Sequence, residues 1–535
     1  MNAGRNEETM KEGTKESKKE SKKAANYMIG LDIGTTSTKA VLFRLDGRVV
    51  QRTEREYPLY TEAADSAEQS PEEIYQAVLY TIGQTMARSG IGPDEVWFVA
   101  VSAAMHSVIP VDEQGEPLMR CLTWADNRSA GWSEWLKQQA GSQALYNRTG
   151  VPIHPMSPLT KLLWLRHERP ELFARTAKFI SIKEYLFFRL FGDYVIDHSM
   201  ASATGLLHLE RLEWDAKALE LAGLAPQQLS RLVPTTYRME GMNRHAAEAM
   251  GLAASVPFIV GATDGVLSNL GVNAIAPGVV AVTIGTSGAI RTVVDRPMTD
   301  PQGRTFCYAL TEQHWVIGGA VNNGGMLLRW ARNELAAPEC AEAQRLGVDA
   351  YDLMTAQAER IRPGADGLLF HPYYTGERAP LWNADARGSF FGLTMRHTRA
   401  HMIRAVMEGV LFNLYTVLQV MEEQMGQPIR LMATGGFARS PLWRQMMADI
   451  FDQRVIVPES FESSCLGAAV LGLYAMGHAD TLEAVSGMVG ETHAHEPQPE
   501  AALLYRELLP IYTRLASKLE AEYAAIAAYQ RKWNA

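Results

Sequence analysis

The stretch "GLDIGTTSTKAVLF", residues 30–43, sets the polar run Gly34-Thr35-Thr36-Ser37-Thr38 between two apolar runs and places Asp32 inside the first of them. Taken alone it reads as a β-hairpin, because glycine permits the tight turn and β-branched residues fill the strands. The chain does this twice. Residues 281–294, "AVTIGTSGAIRTVV", repeat Ile-Gly-Thr-(Thr/Ser) between apolar strands. Successive amides in such a turn form an anion-binding concavity, and threonine hydroxyls add donors without adding charge. Two of them, about half a chain apart, predict a duplicated domain whose halves face one nucleotide across a cleft.

Size and charge narrow the classes further. At 535 residues the chain exceeds one core, and its 47% hydrophobic and 21% charged composition is that of a globular protein. A net charge of −9 leaves no basic surplus for nucleic acid. The four cysteines (Cys121, Cys307, Cys340, Cys465) form no CxxC pair and read as reduced thiols of a cytoplasmic protein. No apolar run reaches 18 residues, so no membrane span is expected. The Lys/Glu-rich start ("KEGTKESKKESKK") reads as a disordered tail over residues 1–27. The expected divisions are 28–273 for a first domain, 274–510 for a second, and a C-terminal helix over 511–535.

An α/β organisation follows from periodicity. "EVWFVAVS", "VIPVD" and "HWVIGGAV" read as strands; "SPLTKLLWLRHERPELFA", "SIKEYLFFRLFG" and "GMLLRWARNELA" read as helices. Thr398 reads as the N-cap of a long helix, and Ser440-Pro441 as the cap and first turn of another. In "SSCLGAAVLGLYAMG", Gly467, Ala468 and Ala469 predict close approach to a neighbour. A Walker-type phosphate loop, a GxGxxG turn, HExxH and GxSxG are all missing, so any nucleotide must be held by the paired hairpins.

Asp264, in "VGATDGVLSNLG", ends an apolar strand just before the second hairpin. Two readings stand side by side: a general base for an attacking hydroxyl, or a turn-bonding or helix-capping carboxylate. Asp32 carries charge into a buried strand, where Mg²⁺ is a natural partner.

Five segments, in this order, resemble the FGGY family of carbohydrate kinases over residues 28–510: "DIGTTSTK", "GATDG", "TIGTSG", "GERAPLWNADARGSFFGL" and "TGGFARSPLWRQMMADIF". "SAAMHSV", "TWADNRS", "PIHPM" and "GGFARS" are similar to the family's bacterial gluconate kinases. The resemblance implies a duplicated actin-like (ribonuclease H-like) ATPase fold, two domains flanking a nucleotide and sugar cleft. It also implies ATP-dependent phosphorylation of gluconate at C6, with MgATP and a sugar acid as small-molecule partners. A pentulose kinase of the same family is the alternative, an actin- or chaperone-like ATPase a remote one. A homodimer is compatible with the resemblance.

The resemblance further implies site roles. Asp264 is the base and Asp32 positions Mg²⁺. Gly34, Thr35, Thr36, Ser37 and Lys39 form the first phosphate turn, Gly285 and Thr286 the second. Gly325 approaches the nucleotide, and Gly435 and Gly436 let backbone lie against adenosine. Met105, His106, Trp124 and Asp126 contact the sugar. A carboxylate needs a cation, and His106, Arg128 and Lys183 are the candidates. Arg128 reads equally as an ion-pair partner of Asp126, and Lys183 equally as a solvated helix residue.

Overall fold

A computed structural model describes residues 26–63, 65–458, 462–490 and 492–533. The tail expected at 1–27 falls outside them up to residue 25, and Tyr27 already opens the first strand. The first half runs β1 (Tyr27–Ile33), β2 (Ser37–Arg44), β3 (Val49–Glu56), α1 (Pro71–Ser89), β4 (Val96–Ala103), α2 (Pro158–Glu168), α3 (Ile182–Phe191), β5 (Arg238–Met239), β6 (Phe258–Thr263) and α4 (Asp264–Gly271). The second half runs β7 (Val279–Ile284), β8 (Gly288–Val294), β9 (Phe306–Ala309), β10 (Trp315–Val321), α5 (Met326–Leu335), α6 (Arg399–Met425), β11 (Arg430–Thr434), α7 (Pro441–Phe451), β12 (Val455–Pro458), α8 (Ser463–Ala475), β13 (Thr492–His495), α9 (Pro499–Lys518) and α10 (Glu520–Trp533).

Duplication is visible in the topology. One sheet has the order β5-β6-β4-β1-β2-β3, the other β9-β10-β8-β7-β11-β12-β13. In each, a three-stranded antiparallel meander (β1-β2-β3; β7-β8-β10) continues into parallel strands (β4-β6; β11-β12). The central strands are covered on both faces, which is why they read as continuous apolar runs rather than alternating ones. Ile29, Leu31 and Ile33 of β1 join Ile74, Val78 and Ile82 of α1 in one core, while Met28 joins Phe98 and Val470 in another.

That second core explains the small residues of α8. Although α8 belongs to the second half by sequence, its apolar face packs under the first sheet, and it crosses α4 at backbone contact. A Cβ on Gly467 would stand 1.9 Å from the Leu267 carbonyl, and one on Gly271 would stand 1.8 Å from that of Ser463. The predicted close approach is therefore with α4, and it joins the two halves.

One helix needs placing and one expectation needs correction. Helix α6 is long and apolar enough to cross a membrane by composition, yet 89% of its most apolar window is buried inside the protein, so it is a core helix. The expected single helix over 511–535 is the second half of α9 followed by a separate α10; Tyr505 and Tyr512 of α9 lie in the core of the second half. Thr398 and Ser440 stand at the N-caps of α6 and α7 as read, with Ser440 Oγ accepting from the Trp443 amide at 3.3 Å.

Substituting Gly467→Val should force α4 and α8 apart. Overpacking against backbone that cannot yield predicts a loss of about 3 kcal/mol or more, read as a drop of several degrees in melting temperature. Gly131→Ala, where a Cβ meets nothing within 4 Å, should leave it unchanged. Equal behaviour of the two variants would contradict the packing argument.

Candidate active site

Between the halves lies an open cleft of about 870 Å³. Thr35 of the first turn, Gly285 of the second, and Asp264 all line it, together with Met105, His106 and Trp124. Folding thus brings to one space residues from both hairpins, the acid and the sugar motif.

The turns are built from backbone. The Gly34 amide donates to the Ser37 carbonyl at 2.9 Å, and the Gly285 amide to that of Ser287 at 2.9 Å. The second turn also braces the start of α5: the Gly325 amide donates to Gly285 O at 2.7 Å and the Gly324 amide to Thr286 O at 3.1 Å. Gly325 is therefore pressed on the phosphate turn, where a Cβ would lie 2.7 Å from Gly285 O. Gly435 has φ 105° and abuts the Ile284 carbonyl, whereas a Cβ on Gly436 would enter open space. Gly435 is thus required by close backbone packing on the end of β7, while Gly436 is exposed.

Other residues of the first turn are engaged elsewhere. Ser37 Oγ donates to Glu54 at 2.6 Å, and Thr36 is exposed. Lys39, expected at the phosphates, pairs with Glu462 at 3.0 Å, a contact between the halves.

Asp264 is the first residue of α4, capped by Thr263, and its Oδ1 accepts from the Gly265 amide at 2.7 Å. The turn-bonding reading and the cleft-facing one are both satisfied: one oxygen holds the helix start, and the residue still lines the cleft. Burial raises its pKa, while Arg291 and the Gly265 amide act in the opposite sense. Asp32, half-buried on β1, accepts from Ser102 Oγ at 2.6 Å. Burial, then the charge of Asp264, push it up to about 6 against Ser102 and Lys39. Burial chiefly holds these neighbouring carboxylates above their ordinary range, and a divalent cation would suit the pair.

Among the residues expected at the sugar, Trp124 Nε1 donates to Thr35 Oγ1 at 2.9 Å, tying that wall of the cleft to the first turn. His106 has φ 70° and is buried; its Nδ1 lies 2.9 Å from Ala203 O and its Nε2 3.4 Å from Tyr308 Oη. Because a carbonyl can only accept, Nδ1 carries the proton and Nε2 is the acceptor. Burial, with Lys161 nearby, lowers its pKa to about 3, so His106 is neutral and no partner for a carboxylate.

The remaining expected groups are used up by structural pairing. Asp126 is buried, accepts from the Ala67 amide at 3.0 Å and from Arg128 Nη2 at 2.7 Å, and does not line the cleft. Arg128 also donates to Glu68 at 2.5 Å, so the ion-pair reading holds for it. Lys183 is neither solvated nor in the cleft: it is buried, 2.8 Å from Asp197, and donates to Ala262 O on β6, the strand that leads into Asp264. These were read from local context, whereas their partners lie far along the chain.

Two cleft cations escaped the sequence reading, Arg291 and Arg378. Arg291 interrupts the apolar strand "AIRTVV" just as Asp32 interrupts its own, and that signal was available. Its charge answers Asp264 most strongly. Arg378 is held by its neighbour Glu377, whose oxygens accept from the Asn322 and Arg378 amides at 2.5 and 2.8 Å and from Asn413 at 2.8 Å.

Residues 27–271 match the N-terminal domain of the FGGY family of carbohydrate kinases, and residues 280–476 match its C-terminal domain. Over 508 residues, 95% of this chain and 98% of the relative, the sequence is 56% identical to a gluconokinase of Bacillus subtilis (strain 168). The chain belongs to the FGGY family of carbohydrate kinases. Among solved structures, a gluconate kinase from Lactobacillus acidophilus superposes with a TM-score of 0.88 at 36% identity, covering 94% of this chain and 99% of that one. A ligand-bound xylulose kinase from Lactobacillus acidophilus matches with the same TM-score, 0.88, and identity, 36%. This FGGY kinase is thus an ATP-using carbohydrate kinase with the duplicated actin-like fold.

The Asp32 environment has a pH signature. Its folded pKa of about 6 exceeds the ordinary 3.8, so the folded chain holds this proton more tightly than the unfolded one. The cost of ionising it is absent below pH 3.8, grows as pH rises through this window, and is complete above 6. Asp32→Asn removes that cost, so it should gain on the order of 2–3 kcal/mol over the parent at pH 7 and nothing at pH 4, at about 1.4 kcal/mol per unit. Urea unfolding at both pH values checks it; a gain equal at both, or a loss at pH 7, would contradict it.

Proposed function

We propose that this kinase transfers the γ-phosphoryl group of ATP to the C6 hydroxyl of D-gluconate, giving 6-phospho-D-gluconate and ADP. The reading is carried by the position of Asp264 on the cleft wall shared with both phosphate turns. The acceptor is suggested by the identity to gluconokinase across nearly its whole length.

In the reaction, the turn amides and Thr35 hold the phosphates while the sugar lies against Met105, Trp124 and His106. Asp264 takes the proton from the C6 hydroxyl as its oxygen attacks phosphorus in line, and the β–γ bridging oxygen leaves on ADP. The proton on Asp264 then passes to solvent. Asp32, with Asp264 beside it, would hold Mg²⁺, which neutralises phosphate charge when bound. Closure of the two halves excludes water, the competing acceptor. Because the reaction consumes ATP, we place it in the cytoplasm.

A pentulose kinase is the second reading, since the solved gluconate and xylulose kinases fit this fold equally. Charge separates them: gluconate carries a carboxylate that xylulose lacks. In a coupled ADP-release assay, kcat/KM for gluconate should exceed those for xylulose, ribulose and glycerol by at least ~100-fold, with phosphate on C6 of the product. Comparable turnover of xylulose, or none of gluconate, would overturn the substrate and leave the kinase.

A further inference from the structure

None of the three cations expected to meet the substrate's carboxylate is free to do so: His106 is neutral, Arg128 is paired with Asp126 and Glu68, and Lys183 is paired with Asp197. Arg378 is different. It is only 7% exposed, lines the cleft, and forms no ion pair among the described residues. Its Nη2 donates to the Val321 carbonyl at 3.0 Å, but its buried Nε donates to nothing. A buried guanidinium N–H without an acceptor is costly, and such a group marks an anion site. The hydroxyl of Thr283, on the same cleft wall, is likewise buried and unpartnered.

Two anions enter this cleft, the phosphates of ATP and the carboxylate of the acceptor. Arg378 lies on the acceptor side. Its guanidinium stands 4.8 Å over the ring of Trp124, and its charge is felt by His106, His154 and Tyr308. The phosphates have the two turns, and Arg291, whose buried Nε is also unpartnered, has the charge of Asp264 beside it. The Glu377 carboxylate beside Arg378 is already met by the amides of Asn322 and Arg378 and by the side chains of Asn323 and Asn413. Glu377 answers the charge of Arg378 without bonding its guanidinium, so the Nε–H of Arg378 is left without an acceptor on the acceptor wall.

We infer that Arg378, stacked on Trp124 and with its Nε unpartnered, anchors the carboxylate of a sugar-acid acceptor and so sets specificity for aldonates over neutral sugars. The inference rests on the gluconate reading above and goes further by naming the residue. A guanidinium fork suits a carboxylate better than an ammonium does, and stacking on an indole keeps it in plane. Anchoring C1 at Arg378 leaves the far end of the chain, with its primary hydroxyl, for Asp264.

The test pairs a change in the ligand with a change in the protein. Calorimetric titration of the wild-type chain with gluconate and with gluconamide, which keeps the shape and removes the charge, should give affinities differing on the order of 100-fold. Arg378→Gln should bind the two alike, both weakly, while its affinity for a non-hydrolysable ATP analogue stays unchanged. Arg378→Lys should recover part of the preference. Equal wild-type affinity for gluconate and gluconamide overturns the assignment, with gluconate turnover still standing, and this arm needs no variant to fold. A variant that keeps the preference, or that instead loses nucleotide affinity, also overturns it. A wild-type chain that neither binds nor phosphorylates gluconate overturns both readings.

Discussion

The crossing of α4 and α8 at Gly271 and Gly467 is the constraint on which the site depends. Helix α4 begins at Asp264, and α8 packs under the sheet that carries the first phosphate turn. Backbone contact between the two helices leaves no room for sliding, because any Cβ at either glycine would collide with a carbonyl. The carboxylate is therefore held in a set relation to β1 on one side, and through the segment following α4 to β7 on the other. Beneath the same strand, Lys183 donates to Ala262 and Asp197, anchoring the approach to Asp264 from the core. A general base within hydrogen-bond reach of its proton needs this rigidity more than it needs any special chemistry.

Electrostatics then prepares the cleft for what it receives. Asp32 and Asp264 are both held above the ordinary carboxylate range, and Arg291 and Arg378 are both drawn below theirs, Arg378 to about 10, all chiefly by burial. On the reading proposed above, a metal ion would complete the carboxylates, phosphates the turns, and a substrate carboxylate Arg378. His106 stays neutral and offers an acceptor nitrogen to a hydroxyl, which suits a polyol better than a charged group would. The protein has paid this desolvation cost on folding, so binding recovers it.

How much of this was legible in the sequence depends on range. The two Ile-Gly-Thr turns, the caps at Thr398 and Ser440, and the acid at the end of "FIVGATD" are local signals: the caps stand as read, and the acid and both turns meet at one cleft. The small residues of α8 predicted close packing, though not that the partner would be α4 of the other half. What failed were charges whose partners are distant: Lys39 finds Glu462, Lys183 finds Asp197, and Asp126 is closed off by Arg128 and the Ala67 amide. Sequence spacing does not reveal whether a cation is already answered, which is why Lys183 and Arg128 both read as candidates. Arg291 and Asp32 show the complementary lesson, since a charge inside an apolar strand was visible in both yet pursued in only one.

The central claim is that Asp264, fixed between the halves, is the proton acceptor for the transferred group and is not needed for binding. Stopped-turnover kinetics and calorimetry on Asp264→Asn measure this directly. Loss of one base predicts a fall in kcat of roughly two to four orders of magnitude, with gluconate and ATP-analogue affinities within a few-fold of the parent and the helix start preserved by the retained amide oxygen. Turnover within tenfold of the parent would make Asp264 a turn residue and contradict the account.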